Sequence, residues 1–147
     1  MSVFTSIIEG NIPGRFIYAD DTCAVFATIE PIQPGHMLVV PRQEVNKFTE
    51  LNEETWTHLS HVAQIIGRAG EHAFEERRAM IIVAGLEVPH VHIHVIPARD
   101  EKDIDFSRAH AVSNEELDMA CTRLRASLKE LGYGQYIPKD MYHLDKN

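Results

Sequence analysis

Pro89-His90-Val91-His92-Ile93-His94-Val95-Ile96-Pro97 is the most informative run in the chain. Successive side chains of an extended strand point to opposite faces, so this alternation predicts a strand over residues 90–96 with three imidazoles on one face. Val91, Ile93 and Val95 take the other face and call for a core to pack against. Neighbouring imidazoles disfavour one another's protonation, which predicts a coupled titration with neutral and protonated rings side by side near neutral pH. That mixture suits phosphoryl chemistry. A neutral ring offers a nucleophilic nitrogen, and an imidazolium stabilises charge on non-bridging oxygens or protonates a leaving group. Two other readings of the run are a satisfied polar stripe and a metal site. Against the metal, an aligned row of three rarely aims every nitrogen at one tetrahedral centre, and no carboxylate or cysteine interrupts the row.

Outward from this strand, the pattern gives an α+β chain with a mainly antiparallel five-stranded sheet, a long central helix and a C-terminal helix. Residues 80–84 are a nearly continuous apolar strand, joined to the histidine strand by a loop at 85–89. On the N-terminal side, strands at 15–19 and 22–29 flank the turn pair Asp20-Asp21, and a third strand at 36–41 follows Pro34-Gly35. Asn52 caps a long helix on which Trp56, Leu59, Val62, Ile66, Ala69 and Ala73 keep a helical apolar period. Ser113 with Glu116 forms a capping box for a second helix, striped by Leu117, Cys121, Leu124, Leu128 and Leu131 and closed by Gly132. Val3, Phe4, Ile7 and Ile8 read as a short opening helix. A single domain over 1–147 is expected, with 132–147 as a tail carrying Tyr133, Tyr136 and Tyr142.

Composition narrows the function. A net charge of -8 repels polyanions, so nucleic acid polymers and anionic membrane surfaces are poor partners. Cys23 and Cys121 lie far apart without metal-ligand spacing, and no stretch has the look of a secretion signal or a membrane span, so a reducing, cytoplasmic location is expected. His58, His61, His72, His110 and His143 read as solvated surface.

Residues 90–96 resemble the signature of the histidine triad (HIT) family of nucleotide hydrolases and transferases. The likeness extends to residues 4–21 and to 31–41, which include Pro34-Gly35-His36 and Leu38-Val39-Val40-Pro41. It implies that His92 attacks an α-phosphorus to form a nucleotidyl-histidine that water then hydrolyses, with His94 near the phosphate and leaving group. It further implies that His90 and His36 pair behind the nucleophile. Val3, Phe4, Ile7, Phe26 and Ile29 match positions lining the family's base pocket. Thr28 stands where relatives commonly carry an acidic residue for the ribose hydroxyls, and Glu87, followed by Val88 and Pro89, replaces a neutral donor in the phosphate loop. Ser2 and Thr5 stand where some relatives have a zinc-binding Cys-x-x-Cys, so neither a metal nor another cofactor is expected. The resemblance implies a purine nucleoside phosphoramidase acting on nucleotide conjugates, as a homodimer that joins two sheets into one. Alternatives are a dinucleoside polyphosphate hydrolase and a non-catalytic nucleotide- or protein-binding protein.

Overall fold

The computed structural model describes residues 1–144. Helix α1 (Val3–Ile8) leads into the hairpin β1 (Phe16–Ala19) and β2 (Cys23–Ala27), then β3 (Met37–Pro41) and the long helix α2 (Glu53–Ala73). Strands β4 (Arg78–Ile82) and β5 (Ile93–Ala98) precede helix α3 (Asn114–Glu130). The five strands form one antiparallel sheet in the order β1-β2-β3-β5-β4. β5, the strand of the histidine run, therefore lies inside the sheet, against Met37, Leu38 and Val39 on one side and β4 on the other.

Period-two alternation sorts the sheet into two faces. Ile17, Val25, Val39, Ile93 and Val95 pack under α2 and α3 with Leu59, Val62, Ile66, Leu124 and Leu128, forming the main core. On the opposite face Phe16, Ala24, Phe26, Leu38 and Val40 pack with Phe4 and Ile8 of α1. Both long helices start where their capping residues predict: the Asn52 side chain accepts from the Thr55 amide and Ser113 from the Glu116 amide.

Three elements differ from the sequence reading. β4 spans 78–82 rather than 80–84. β5 begins only at Ile93, so His90 and His92 precede the ladder, His90 at a bend and His92 in irregular chain. It also runs through Pro97 to Ala98 instead of stopping before the proline. β3 begins only opposite Val95, so the last residues of β5 pair with β4 alone, an edge-like position that tolerates a proline. The tail folds back on β1: the amides of Gly14 and Phe16 donate to the carbonyls of Tyr142 and Met141. Tyr136 stacks on Tyr18 at 5.1 Å, and the Arg125 guanidinium bonds the Phe16 and Pro138 carbonyls. No helix among the described residues is long and apolar enough to cross a membrane.

Candidate active site

Backbone groups set the tautomers of His36, His90 and His92, and the His36 ring sets that of His94. The Ile32 amide donates to Nδ1 of His36 at 3.1 Å, so in a neutral ring the His36 proton sits on Nε2. That Nε2–H faces Nδ1 of His94 at 2.9 Å, which makes the latter an acceptor and leaves the His94 proton on its own Nε2. His94 therefore offers an N–H donor. In His92, Nδ1–H donates to the His90 carbonyl at 2.8 Å, leaving the Nε2 lone pair uncommitted. His90 donates from Nε2 to the Pro41 carbonyl at 2.8 Å and receives the Ser2 hydroxyl on Nδ1 at 2.6 Å. One ring thus presents a lone pair, its neighbour 4.8 Å away presents a proton, and the other two support them.

This arrangement corrects the expected pairing of His36 with His90. Residues 94 and 38 are directly opposed across β5 and β3, which brings His94 beside the start of β3 where His36 lies. His90 is instead carried to the far end of β3, at Pro41. The expected mixture of charged and neutral rings is also corrected. Burial pushes His36 down to about 3, with the nearby His94 and His92 rings adding to the effect, and pushes His94 down to about 4, with His92 adding. Burial lowers His90 and His92 too, partly offset by their bonds to backbone carbonyls. All four are neutral at pH 7 in the free protein.

His92 borders a cavity of about 610 Å³ whose walls include Lys47, Gly85, Glu87 and Pro89. Glu87 thus lines the site, opposite in charge to Lys47. Phe4 packs edge-on against His92 at 4.9 Å and against Phe26 at 5.6 Å, and Ile7 and Val88 join the same apolar cluster. Val3 and Ile29 are exposed, and half-buried Thr28 uses its hydroxyl to accept from the Glu30 amide.

Several contributors escaped the sequence reading. Phe106, in the irregular connector after β5, packs edge-on to His94 at 4.8 Å. The connector is pinned by Asp103, fully buried, which accepts from the Arg99 amide and the Gln33 side chain and lies 3.8 Å from Arg108. Glu44 accepts from the Ser2 amide and the Thr5 hydroxyl. These residues have no period and no motif to announce them; only Ser2, as an N-cap before an apolar run, carries a local signal. Four of the histidines expected on a solvated surface are engaged: His58 meets Asp20 at 2.7 Å, His72 meets Ser127 at 2.9 Å and Glu130 at 3.4 Å, His110 donates to the Arg108 carbonyl at 2.9 Å, and His143 lies 3.7 Å from Asp140. Among the described residues, Asp20, Cys23 and His58 are the one set placing three possible metal-ligand atoms within 4.8 Å of one another. Both Asp20 oxygens there already accept hydrogen bonds, from the Thr22 and Cys23 amides and from Tyr18, beside the His58 contact.

Comparison with known proteins agrees with the geometry. The HIT domain model matches residues 9–101. An uncharacterized HIT-like protein of Methanocaldococcus jannaschii is 32% identical over 80% of this chain and 94% of its own. The asymmetrical bis(5'-nucleosyl)-tetraphosphatase of Schizosaccharomyces pombe is 31% identical over 71% of this chain and 58% of its own. Among solved structures, a zinc-bound histidine triad family protein from Mycobacterium smegmatis superposes with a TM-score of 0.78 at 28% identity, covering 90% of this chain and 96% of that one. With its histidine run, its sheet order and these matches taken together, the chain belongs to the HIT family of nucleotide hydrolases and transferases.

Proposed function

We propose that this protein is a nucleotidyl hydrolase acting on the α-phosphate of purine nucleotide conjugates of the phosphoramidate type. The observation that carries the proposal is the bond from His92 Nδ1 to the His90 carbonyl, which leaves Nε2 free with its lone pair. In the first step Nε2 attacks phosphorus, a P–N bond forms and the bond to the leaving group breaks. The leaving group departs with the electron pair and takes up a proton. The positive charge that arises on the His92 ring is stabilised by the His90 carbonyl, which the Nδ1–H already faces. In the second step water adds to phosphorus and gives a proton to His94, the P–Nε2 bond breaks with its electron pair returning to His92, and the nucleoside monophosphate leaves.

His94 supplies the proton in this reading. It is neutral in the free protein, but a bound phosphate anion beside it favours its protonated form; the added proton goes on Nδ1, which gives up its bond from His36, and the Nε2 proton passes to the leaving group. Phe4, Ile7, Phe26 and Val88, with Val3 and Ile29 at the rim, are proposed to receive the base, and Thr28 the ribose edge. Glu87, Pro89 and Lys47 border the space proposed for the leaving group. The 1–147 chain is proposed to work as one domain, in the cytoplasm and as a homodimer, without a resident metal or other cofactor.

A second reading, a dinucleoside polyphosphate hydrolase, is favoured by the likeness to the fission yeast tetraphosphatase and by Lys47 on the cavity wall, a cation for extra phosphates. The test is AMP release from an adenosine phosphoramidate, and separately from diadenosine tetraphosphate, in the presence of chelator, with wild type and His92→Ala side by side. Release from the phosphoramidate by wild type alone supports the first reading, and preference for the tetraphosphate the second. Nucleotide binding with no turnover of either substrate refutes both and leaves a binding protein.

A further inference from the structure

The peptide that aims the nucleophile is not held by the sheet. Ladder pairing of β5 starts at Ile93, and the backbone before it is tied only by the His90 amide to Val88 and the Val91 amide to Val45. The direction of the His90 carbonyl, on which the His92 tautomer depends, therefore rests heavily on the His90 side chain. That residue is 0% exposed and its ring is gripped at both nitrogens, by the Pro41 carbonyl at the end of β3 and by the Ser2 hydroxyl at 2.6 Å, while the Thr5 hydroxyl, 3.5 Å from the same Nδ1, gives its proton to Glu44. Ser2 is in turn locked: its hydroxyl oxygen accepts the Thr5 amide at 3.0 Å, and its own amide and the Thr5 hydroxyl both donate to one Glu44 oxygen. The amide and hydroxyl together hold the Glu44 carboxyl down at about 2, so it remains an acceptor through the working pH range. Between Ser2 and Thr5 lies Phe4, which meets the rings of both His92 and His90.

We infer that Ser2, locked by Thr5 and Glu44, is a positioning residue for the nucleophile: its hydroxyl fixes the tautomer and tilt of His90, and the His90 carbonyl passes that order to His92. Because Nε2 of His90 donates to Pro41, only a donor can satisfy Nδ1. A hydroxyl at residue 2 can both cap α1 and donate to that nitrogen. A carboxylate can cap but only accept. The inference deepens the hydrolase reading above and rests on it for its kinetic consequence, whereas its tautomer consequence is independent of any substrate.

The experiment records imidazole ¹⁵N–¹H long-range spectra at neutral pH for the full chain, together with kcat and KM on the adenosine phosphoramidate, for wild type, Ser2→Ala, Ser2→Thr and Ser2→Asp. Wild type is expected to show His90 protonated on Nε2 and His92 on Nδ1. Ser2→Ala is expected to mix the tautomers of both rings and lower kcat about tenfold, the worth of one buried hydrogen bond, with KM little changed. Ser2→Thr restores the spectra and the rate. Ser2→Asp keeps the helix cap but sets an acceptor against each His90 nitrogen, so that ring is expected to be protonated on both Nδ1 and Nε2 and the rate to stay low, an outcome that a mere capping role does not give. Unchanged tautomers in Ser2→Ala, or a change confined to His90 that never reaches His92, overturns the inference. A wild type with the expected tautomers but no turnover would instead count against the hydrolase reading alone.

Discussion

Replacing Gly35 by alanine separates two costs that this fold combines at one residue. Gly35 has φ +88°, a conformation that costs an L residue about 1–2 kcal/mol. A Cβ built there would also stand 2.6 Å from Cε2 of Phe74 and 3.1 Å from Cγ of Pro97. Neither neighbour can easily yield. Phe74 is buried beneath the Arg123 guanidinium, 4.5 Å from its ring, and Pro97 is fixed within β5. Overpacking of this kind adds about 1–3 kcal/mol, so Gly35→Ala is expected to lose about 2–5 kcal/mol in all. Gly85 supplies the internal control, since its φ is +68° but a Cβ would meet nothing within 4 Å. Gly85→Ala should therefore lose only about 1–2 kcal/mol, the backbone cost alone. Urea unfolding followed by far-ultraviolet circular dichroism at one fixed protein concentration measures both, the fixed concentration guarding against any contribution from association. A Gly35→Ala loss no greater than that of Gly85→Ala would refute the reasoning, because it would mean that Phe74 and Pro97 do not confine this site. Since His36 follows directly, the same variant should disturb the His36–His94 bond and reduce turnover.

Acid should weaken the fold through the same pair. His36 and His94 bind protons at about 3 and about 4 when folded and near 6.5 when unfolded, so the unfolded chain holds more protons between these values. Stability is therefore expected to fall as pH drops from about 6.5 towards 4, by on the order of several kcal/mol, and a His36→Gln variant should show a shallower slope in pH-dependent urea titrations. An equal slope in wild type and variant would count against the burial assigned to His36. Asp103→Ala removes an ionised acceptor from a buried site and should cost about 2–3 kcal/mol. Hydrogen exchange should then speed up across residues 99–109, and the contact of Phe106 with His94 should loosen; unchanged exchange there would show that Asp103 does not pin the connector.

The parts of this architecture that repeat were legible from residues alone. Asn52 and Ser113 begin their helices because a side-chain acceptor at an N-cap is a local matter, decided within three residues. The opposite facing of His94 and Val95 follows from the pleat. What period two cannot supply is the offset between strands. The partner of His36 depends on which residue of β5 stands opposite Leu38, and that register is set by the packing of the whole sheet. The charge of the rings was misjudged for a related reason, because the pattern gives their spacing but not how much water reaches them. Glu44, Asp103 and Phe106 lie in aperiodic chain, where only the folded molecule brings them to the histidines.

The folded-back tail gives the sheet two unlike margins. At one margin the carbonyls of Met141 and Tyr142 occupy the amides of Phe16 and Gly14, and Arg125 takes the Phe16 carbonyl, so an incoming strand finds few vacant groups there. At the other margin β4 pairs only with β5 among the described strands, and Ile81 is 54% exposed. Strand addition is therefore polarised. A second copy meeting β4 through its own β4 would present its tail-covered margin outward, so growth by this route terminates at two chains, whereas two open margins would permit indefinite stacking into fibres. In such an assembly the last stretch of the described chain would act as a terminator, a duty separate from anything that happens at His92.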